Sequence, residues 1–419
     1  MKKVHFVGIG GAGMAPLAQL LLARKVAVSG SDIEFNSKCQ QLSQLGAEIF
    51  TGHKETNLAG DVDIVVYTSA AAADNPELLE ARRRLLPCFR RGEFLAEYAK
   101  NYRRVIAVSG THGKSSISAL IAAILCKCGK NPGFMIGAQI AGMPSCDNGI
   151  GDDIFVTEAD ESDGTHTALT NFIGVVPNVE DDHAWSLGGV EVLDENFRTF
   201  ARKSEILLYY ASPKCDRLFA GHPHAVRLEQ MPESFAGSYG FQAANSFLAC
   251  RAAELAGCDE AAAVAAAGEY PQVKRRMTLH ASSPACTIIE DYAHHPTEVA
   301  RSLELLRLKY PGAKLTVIFQ PHRYARLERY FDEFAEVLKA ADSTIIVPVF
   351  AAWCESGSVG SCELAAACGG TALDGSWEDI ASGVAAGISG TGNVIAILGA
   401  GDIEQLIAPL TARLCGSAQ

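Results

Sequence analysis

Val105-Ile106-Ala107-Val108-Ser109-Gly110-Thr111-His112-Gly113-Lys114-Ser115-Ser116 is an apolar run that empties into a glycine turn and then into Lys-Ser. The apolar residues predict a buried strand, and the glycines predict a turn whose backbone N–H groups wrap phosphate oxygens. A helix expected to start near Ser115 adds the positive end of its dipole. In that setting Lys114 reaches the outer phosphates and the Ser115 hydroxyl sits on Mg²⁺. Gly110, Thr111, His112, Gly113, Lys114, Ser115 and Ser116 are therefore the candidate nucleotide-phosphate residues. A common phosphate loop sets about four residues between its glycines. Here only Thr111 and His112 stand between Gly110 and Gly113, which narrows the choice of family.

Further along, the apolar run Ile154-Phe155-Val156-Thr157 ends in Glu158-Ala159-Asp160-Glu161-Ser162-Asp163. A second run, Ile173-Gly174-Val175-Val176, leads to Pro177-Asn178-Val179-Glu180-Asp181-Asp182-His183. Open α/β sheets keep their ligands at strand C-termini, where both acidic stretches fall. Magnesium in a nucleotide site takes a hydroxyl and carboxylates, so Glu158 and Glu161 join Ser115 as metal candidates. His183 is added on position, because histidine is a more usual ligand of zinc than of magnesium. Alanine-rich helices over 245–257 and 260–267 close this segment.

Upstream, strand Val4-His5-Phe6-Val7, turn Gly8-Ile9-Gly10-Gly11-Ala12-Gly13, a helix from Met14 to Arg24 and strand Val26-Ala27-Val28-Ser29 form a βαβ pattern ending at Gly30-Ser31-Asp32. Glycines at 8, 10 and 13 permit close approach to a diphosphate, and Asp32 suits a ribose hydroxyl. NAD, FAD and UDP-sugars all satisfy this turn. Lys100-Asn101-Tyr102-Arg103-Arg104 reads as a charged linker.

Downstream, strand Thr287-Ile288-Ile289-Glu290 meets Asp291-Tyr292-Ala293-His294-His295-Pro296. Strand Leu315 to Phe319 meets Gln320-Pro321-His322-Arg323-Tyr324-Ala325-Arg326. Without a metal-type Cys or His spacing, the arginines favour a carboxylate ligand over zinc. Strands 343–348 and 394–398, with the turn Gly399-Ala400-Gly401-Asp402, complete the segment.

The 419 residues, 48% hydrophobic and 20% charged, suit an α/β protein of three domains. The expected division is 1–100, Rossmann-like; 101–271, a phosphate-loop ATPase domain; and 272–419, again Rossmann-like. A net charge of −12 argues against nucleic acid as a partner. Thirteen scattered cysteines without a CxxC pair fit free thiols in a reducing cytoplasm. The opening residues mimic a signal peptide, but their glycines break the apolar run, and no stretch is long enough to span a bilayer.

Taken in order, HFVGIGGAGM (5–14), VSGSD (28–32), VSGTHGKSS (108–116), EADESDG (158–164), EDYAHHPTE (290–298), FQPHRYAR (319–326) and LGAGDI (398–403) resemble the Mur ligases, which build the peptide stem of peptidoglycan. The resemblance implies a cytoplasmic enzyme of cell-wall synthesis, and hence of cell shape and division, acting as monomer or homodimer. It implies ATP and Mg²⁺, UDP-N-acetylmuramate and L-alanine, joined through an acyl phosphate with release of ADP and phosphate. In that reading Lys114, His183, His294 and Arg323 carry the chemistry, and Ser115, Glu158, Glu161 and His183 surround the metal. Tyr292, His294, His322, Arg323 and Arg326 serve the amino acid and muramyl group. Gly10, Gly11, Ala12, Gly13, Ser31, Asp32 and Ser69 hold the UDP-sugar. Where the family has a Gly-x-His-Asn element for adenine, this chain reads Tyr239-Gly240-Phe241-Gln242, and Gln242 is the expected amide. Three other readings compete: a recycling ligase that adds a preformed peptide, a non-catalytic UDP-sugar-binding paralogue, and an NAD-dependent oxidoreductase read from residues 8–32 alone. A Pro-Arg-Ser-Asn run marks the recycling ligases, whereas this chain has Pro321-His322-Arg323-Tyr324.

Overall fold

The computed structural model describes residues 2–182, 184–229, 240–268, 273–352 and 356–416. Alternating strands and helices form three sheets, so the fold is α/β as the segment pattern predicts. The first sheet has the order Glu48–Thr51, Ala27–Asp32, Lys3–Val7, Ile64–Tyr67, Cys88–Arg90, all parallel. Its chain leaves Lys3–Val7 first to one side and later to the other, which opens a crevice beyond Val7.

The second sheet runs Ala225–Leu228, Ser204–Tyr210, Asn171–Val176, Arg104–Val108, Ile154–Glu158, Gly133–Met135, Cys146–Asp147, with only the last pair antiparallel. Arg104–Val108 lies at its centre, and both strands that end in acids are its immediate neighbours. Val108 pairs in register with Glu158 and with Val175, so the glycine turn and both acidic stretches leave the sheet at one edge.

These two sheets belong to one compact unit and share one apolar cluster. Phe6 meets Phe94 edge to face at 6.2 Å, and Tyr102 stacks on Phe155 at 4.7 Å. Aromatic pairs of this kind add about 0.5–1.5 kcal/mol beyond burial. Lys100–Arg104 is therefore no solvated spacer, contrary to the linker reading. Tyr102 is buried, Tyr102 Oη donates to the Asn148 carbonyl at 2.9 Å, and Arg104 already opens a strand and pairs with Asp153.

The third sheet lies in the second compact unit. Its order is Thr278–Ser282, Cys286–Asp291, Asn393–Leu398, Lys314–Phe319, Ser343–Ile346, Thr371–Ala372, with only the first pair antiparallel. Separate apolar clusters cover it, one with Phe319 and Phe334 and one with Ile318, Ile397 and Leu406. Among the described residues no helix is long and apolar enough to cross a membrane.

Candidate active site

Gly110 and Gly113 have φ of +153° and +89°, conformations that side chains other than glycine rarely adopt. The helix that follows is Lys114–Lys127, starting one residue earlier than expected, with Gly113 as its left-handed N-cap. No side chain caps this end. Its first-turn N–H groups thus point toward the space where the loop opens, as anion binding requires. The loop is braced from the neighbouring strand exit. Thr111 N–H donates to the Asn178 carbonyl at 3.3 Å, His112 N–H to Asn178 Oδ1 at 2.9 Å, and Glu180 N–H to Thr111 Oγ1 at 2.8 Å. His112 Nε2 lies 3.3 Å from Glu180 Oε2, so the His112 ring belongs to this brace.

Lys114 folds back over the loop. Nζ donates to the Gly110 carbonyl at 2.7 Å and to Glu161 Oε2 at 2.7 Å. Burial opposes its charge, but Glu161 and Asp160 hold the lysine above its ordinary range, so it stays protonated. Asp160 is a firm anion: burial pushes it up, while Lys114 and the Ser162 hydrogen bonds bring it down to about 2. Glu161, 1% exposed, is pushed up to about 7 by burial against the attraction of Lys114.

Glu158 and Glu161 therefore separate into different places. Glu158 Oε2 accepts the Ser115 hydroxyl at 3.0 Å, and its Oε1 accepts Gly137 N–H at 2.7 Å. Ser115 Oγ and Glu158 make a pair of hard oxygen donors of the kind magnesium takes, whereas Glu161 is tied to Lys114. His183 and Tyr239 lie outside the described residues, as does the Phe241 side chain. Gln242 is half-buried on the helix Gly240–Leu255. Asn245 on the same helix is the amide beside the loop, since a Cβ on Gly113 would lie 3.3 Å from its Oδ1. Sequence reasoning missed Asn245 and Asn178. The signal for Asn245 was a polar residue in an otherwise alanine-rich helix.

At the N-terminal turn, Gly8 has φ +82°, and the helix Met14–Ala23 starts just after Gly13. A Cβ on Gly10 would come within 2.5 Å of Asn36 Nδ2. Asp32 clamps the turn: Oδ2 accepts Gly10 N–H at 2.8 Å and Oδ1 accepts Ile33 N–H at 2.8 Å. Gly11, exposed Ala12 and Gly13 continue the turn, while exposed Ser69 follows the adjacent strand Ile64–Tyr67. Arg91, unremarked in the sequence, lies against Gly13, where a Cβ would be 2.9 Å from its Cδ, and pairs with Asp163.

In the second unit, the exits of Cys286–Asp291 and Lys314–Phe319 come together because both strands flank Asn393–Leu398. The His294 and His322 rings meet edge to face at 5.8 Å. His294 Nδ1 lies 3.0 Å from the Tyr292 carbonyl and 3.1 Å from Glu298 Oε2. The Tyr292 ring carries Arg275 and Arg276, each 5.0 Å from its centroid. His322 stacks on Phe350 at 5.3 Å and is pushed down to about 3 by burial, with His294, Arg323 and Arg326 adding to the effect. It is neutral at working pH. Arg323 adopts φ +69° and donates its N–H to the Phe350 carbonyl at 2.8 Å; Arg326 is buried. Tyr292, His294, His322, Arg323 and Arg326 thus share the exits of two strands joined through one neighbour.

The chain has counterparts among known proteins. The sequence profile of the Mur ligase family, catalytic domain, matches residues 3–103, and that of the Mur ligase, glutamate ligase domain, matches residues 275–401. The UDP-N-acetylmuramate–L-alanine ligase of Aquifex aeolicus is 33% identical, over 97% of this chain and 96% of its own. The crystal structure of the UDP-N-acetylmuramate–alanine ligase of Thermotoga maritima superposes with a TM-score of 0.81 at 25% identity, covering 100% of both chains. A murein peptide ligase from Psychrobacter arcticus shares the fold, with a TM-score of 0.70 at 22% identity and 100% coverage of both chains. With both family profiles matched, and a relative 33% identical that aligns along 97% of this chain, the chain belongs to the Mur ligase family.

Proposed function

We propose that this protein joins L-alanine to the lactyl carboxylate of UDP-N-acetylmuramate at the expense of ATP, an early step of peptidoglycan precursor synthesis in the cytoplasm. The observation that carries the reading is Lys114 and Ser115 at an open helix N-terminus with Glu158 on the serine hydroxyl, in a chain 33% identical to an alanine-adding ligase over 97% of its length. A carboxylate is a poor electrophile. Transfer of the γ-phosphoryl group to one of its oxygens releases ADP and makes an acyl phosphate. The alanine nitrogen then attacks the carbonyl carbon, the C–O bond to phosphate breaks, and the amine loses a proton as the amide forms.

The chain's part is positioning and charge. Gly110 to Ser116 wrap the phosphates, and Lys114 Nζ faces the charge that moves. Ser115 and Glu158 would hold Mg²⁺, and His183 is the further candidate ligand by its place in the sequence; when bound, the ion would neutralise phosphate oxygens. Glu161 keeps Lys114 protonated and aimed. The turn at Gly10 to Gly13, with Ser31, Asp32 and Ser69, takes the UDP-sugar. Tyr292, His294, neutral His322, Arg323 and Arg326 serve the amino acid and muramyl side, the arginines pairing with carboxylate. Domains 1–100, 101–271 and 272–419 then divide UDP-sugar, ATP and amino-acid binding. We take the protein to work as monomer or homodimer, without nucleic acid or membrane.

The recycling reading rests on a likeness of fold alone at 22% identity, and the oxidoreductase reading leaves the Lys114 loop without a role. Release of ADP that requires UDP-N-acetylmuramate and an amino acid together tests the proposal. Release with neither overturns it.

A further inference from the structure

Beneath the N-terminal turn lies a buried anion, Glu77, with no lysine or arginine side chain against it in the described contacts; Lys54 approaches it only through its backbone N–H, which Glu77 Oε1 accepts at 3.4 Å. Glu77, 0% exposed, sits in the first turn of the helix Pro76–Arg83, whose N-cap Asn75 accepts the Glu77 N–H. Its Oε2 accepts the Ser31 hydroxyl at 2.6 Å, and its Oε1 accepts Asn57 Nδ2 at 2.5 Å. Two imidazoles face it: His5 Nε2 at 3.6 Å, from a ring whose Nδ1 is 2.9 Å from Ser29 Oγ, and His53 Nδ1 at 3.4 Å. Burial pushes the Glu77 carboxyl up, but the contacts from His5, Ser31 and Asn57 outweigh it and hold the group below its ordinary value. The helix end favours the anion as well.

Burying a carboxylate without a lysine or arginine side chain beside it weakens a fold relative to an apolar cluster of the same shape. What this one achieves is a fixed direction of hydrogen bonding. A serine hydroxyl has one proton, and a carboxylate only accepts. Ser31 spends its proton on Glu77, so its oxygen must accept from His53 Nδ1, 2.9 Å away. In the neutral imidazole the His53 proton is thereby held on Nδ1, and Nε2 carries the lone pair. Ser31 precedes the turn clamp Asp32, and His53 follows the neighbouring strand Glu48–Thr51, so both sit at the C-terminal edge of the sheet, where such folds bind nucleotides. An acceptor there cannot serve a diphosphate, which offers only acceptors. It suits the donors of a uridine, a ribose hydroxyl or the N3–H of the base.

Resting on the UDP-sugar reading above, we propose that Glu77 is a positioning residue which, through Ser31, locks His53 as a hydrogen-bond acceptor for the uridine part of the substrate.

Two measurements on the full chain test this. Nitrogen-15 histidine spectra of the wild-type protein should place the His53 proton on Nδ1; a proton on Nε2 would overturn the proposal. Calorimetry with UDP, N3-methyl-UDP and the 2′- and 3′-deoxy forms reads the acceptor itself. Wild type should bind UDP about tenfold more tightly than the analogue lacking the donor that His53 meets, and this ratio should fall to about 1 in both Glu77→Gln and His53→Ala. The half-exposed His53 keeps the test open if Glu77→Gln does not fold. Equal binding of all four ligands by wild type, or an unchanged ratio in His53→Ala, overturns the inference alone. No binding of UDP by wild type overturns the UDP-sugar reading and the inference together.

Discussion

Lys114, Glu158 and Glu161 lie within one turn of helix and one strand exit, yet their partners give them separable jobs. Lys114→Met should lower ADP release about 10³-fold, while the far-ultraviolet circular dichroism keeps its wild-type shape. Activity within a factor of two of wild type would remove Lys114 from the chemistry. Glu158→Gln should raise the Mg²⁺ concentration for half-maximal ADP release by about tenfold or more, and Glu161→Gln should leave that concentration in place while slowing turnover. The opposite pattern would exchange their roles. The sequence alone could not separate them, because both acids leave the same strand end and side-chain direction decides. A second residue carries a stability prediction. His166 is fully buried against Phe197, 5.1 Å away, and Phe200, and among the described residues neither ring nitrogen has a partner in hydrogen-bond geometry. Burial pushes it down to about 4, with the Asp160 carbonyl drawing it back a little. A histidine whose folded pKa is depressed contributes stability above its unfolded value near 6.5, and that contribution is lost as pH falls through 4, about 3 kcal/mol in all. His166→Phe should therefore flatten the fall in Tm between pH 6.5 and 4. A wild-type slope would refute this.

At the scale of elements, the glycine loop keeps its shape because a central strand delivers it and the exits of both neighbouring strands bond to it. Gly113→Ala places a Cβ at φ +89°, a strain of about 1–2 kcal/mol, and sets it 3.3 Å from Asn245 Oδ1. The expected outcome is a KM for ATP raised about tenfold, with the KM for UDP-N-acetylmuramate unchanged; equal rises in both would point to general loosening. Much of this was legible in the chain. Gly110, Gly113, Lys114 and Ser115 announce themselves because few other needs place those residue types between a strand and a helix. Helical phase was not legible: Gln242 and Asn245 lie a turn apart on one helix, and only the start of that helix decides which amide reaches the loop. Spacing marks Asp32 as a ribose candidate, and its two backbone hydrogen bonds depend on the curl of a turn that spacing does not reveal. Lys100–Arg104 misled by charge, since Tyr102 in its midst belongs to the core.

Across the whole molecule, three α/β sheets present three strand-end sites, and two of those sheets share one core. The segment pattern foretold the sheets, because each opens on its own apolar run and turn, but a shared core depends on aromatic contacts over long separations in sequence. The proposed division of labour among nucleotide sugar, ATP and amino acid makes the choice of amino acid the central claim. A pocket that gains or loses one methyl group discriminates by about 10–200-fold. The direct measurement is ADP release by the full chain with UDP-N-acetylmuramate and, in turn, L-alanine, L-serine, glycine and a preformed muramyl tripeptide. L-Alanine should have a kcat/KM about tenfold or more above each of the others, and equal values for L-alanine, L-serine and glycine, or a preference for the tripeptide, would contradict it.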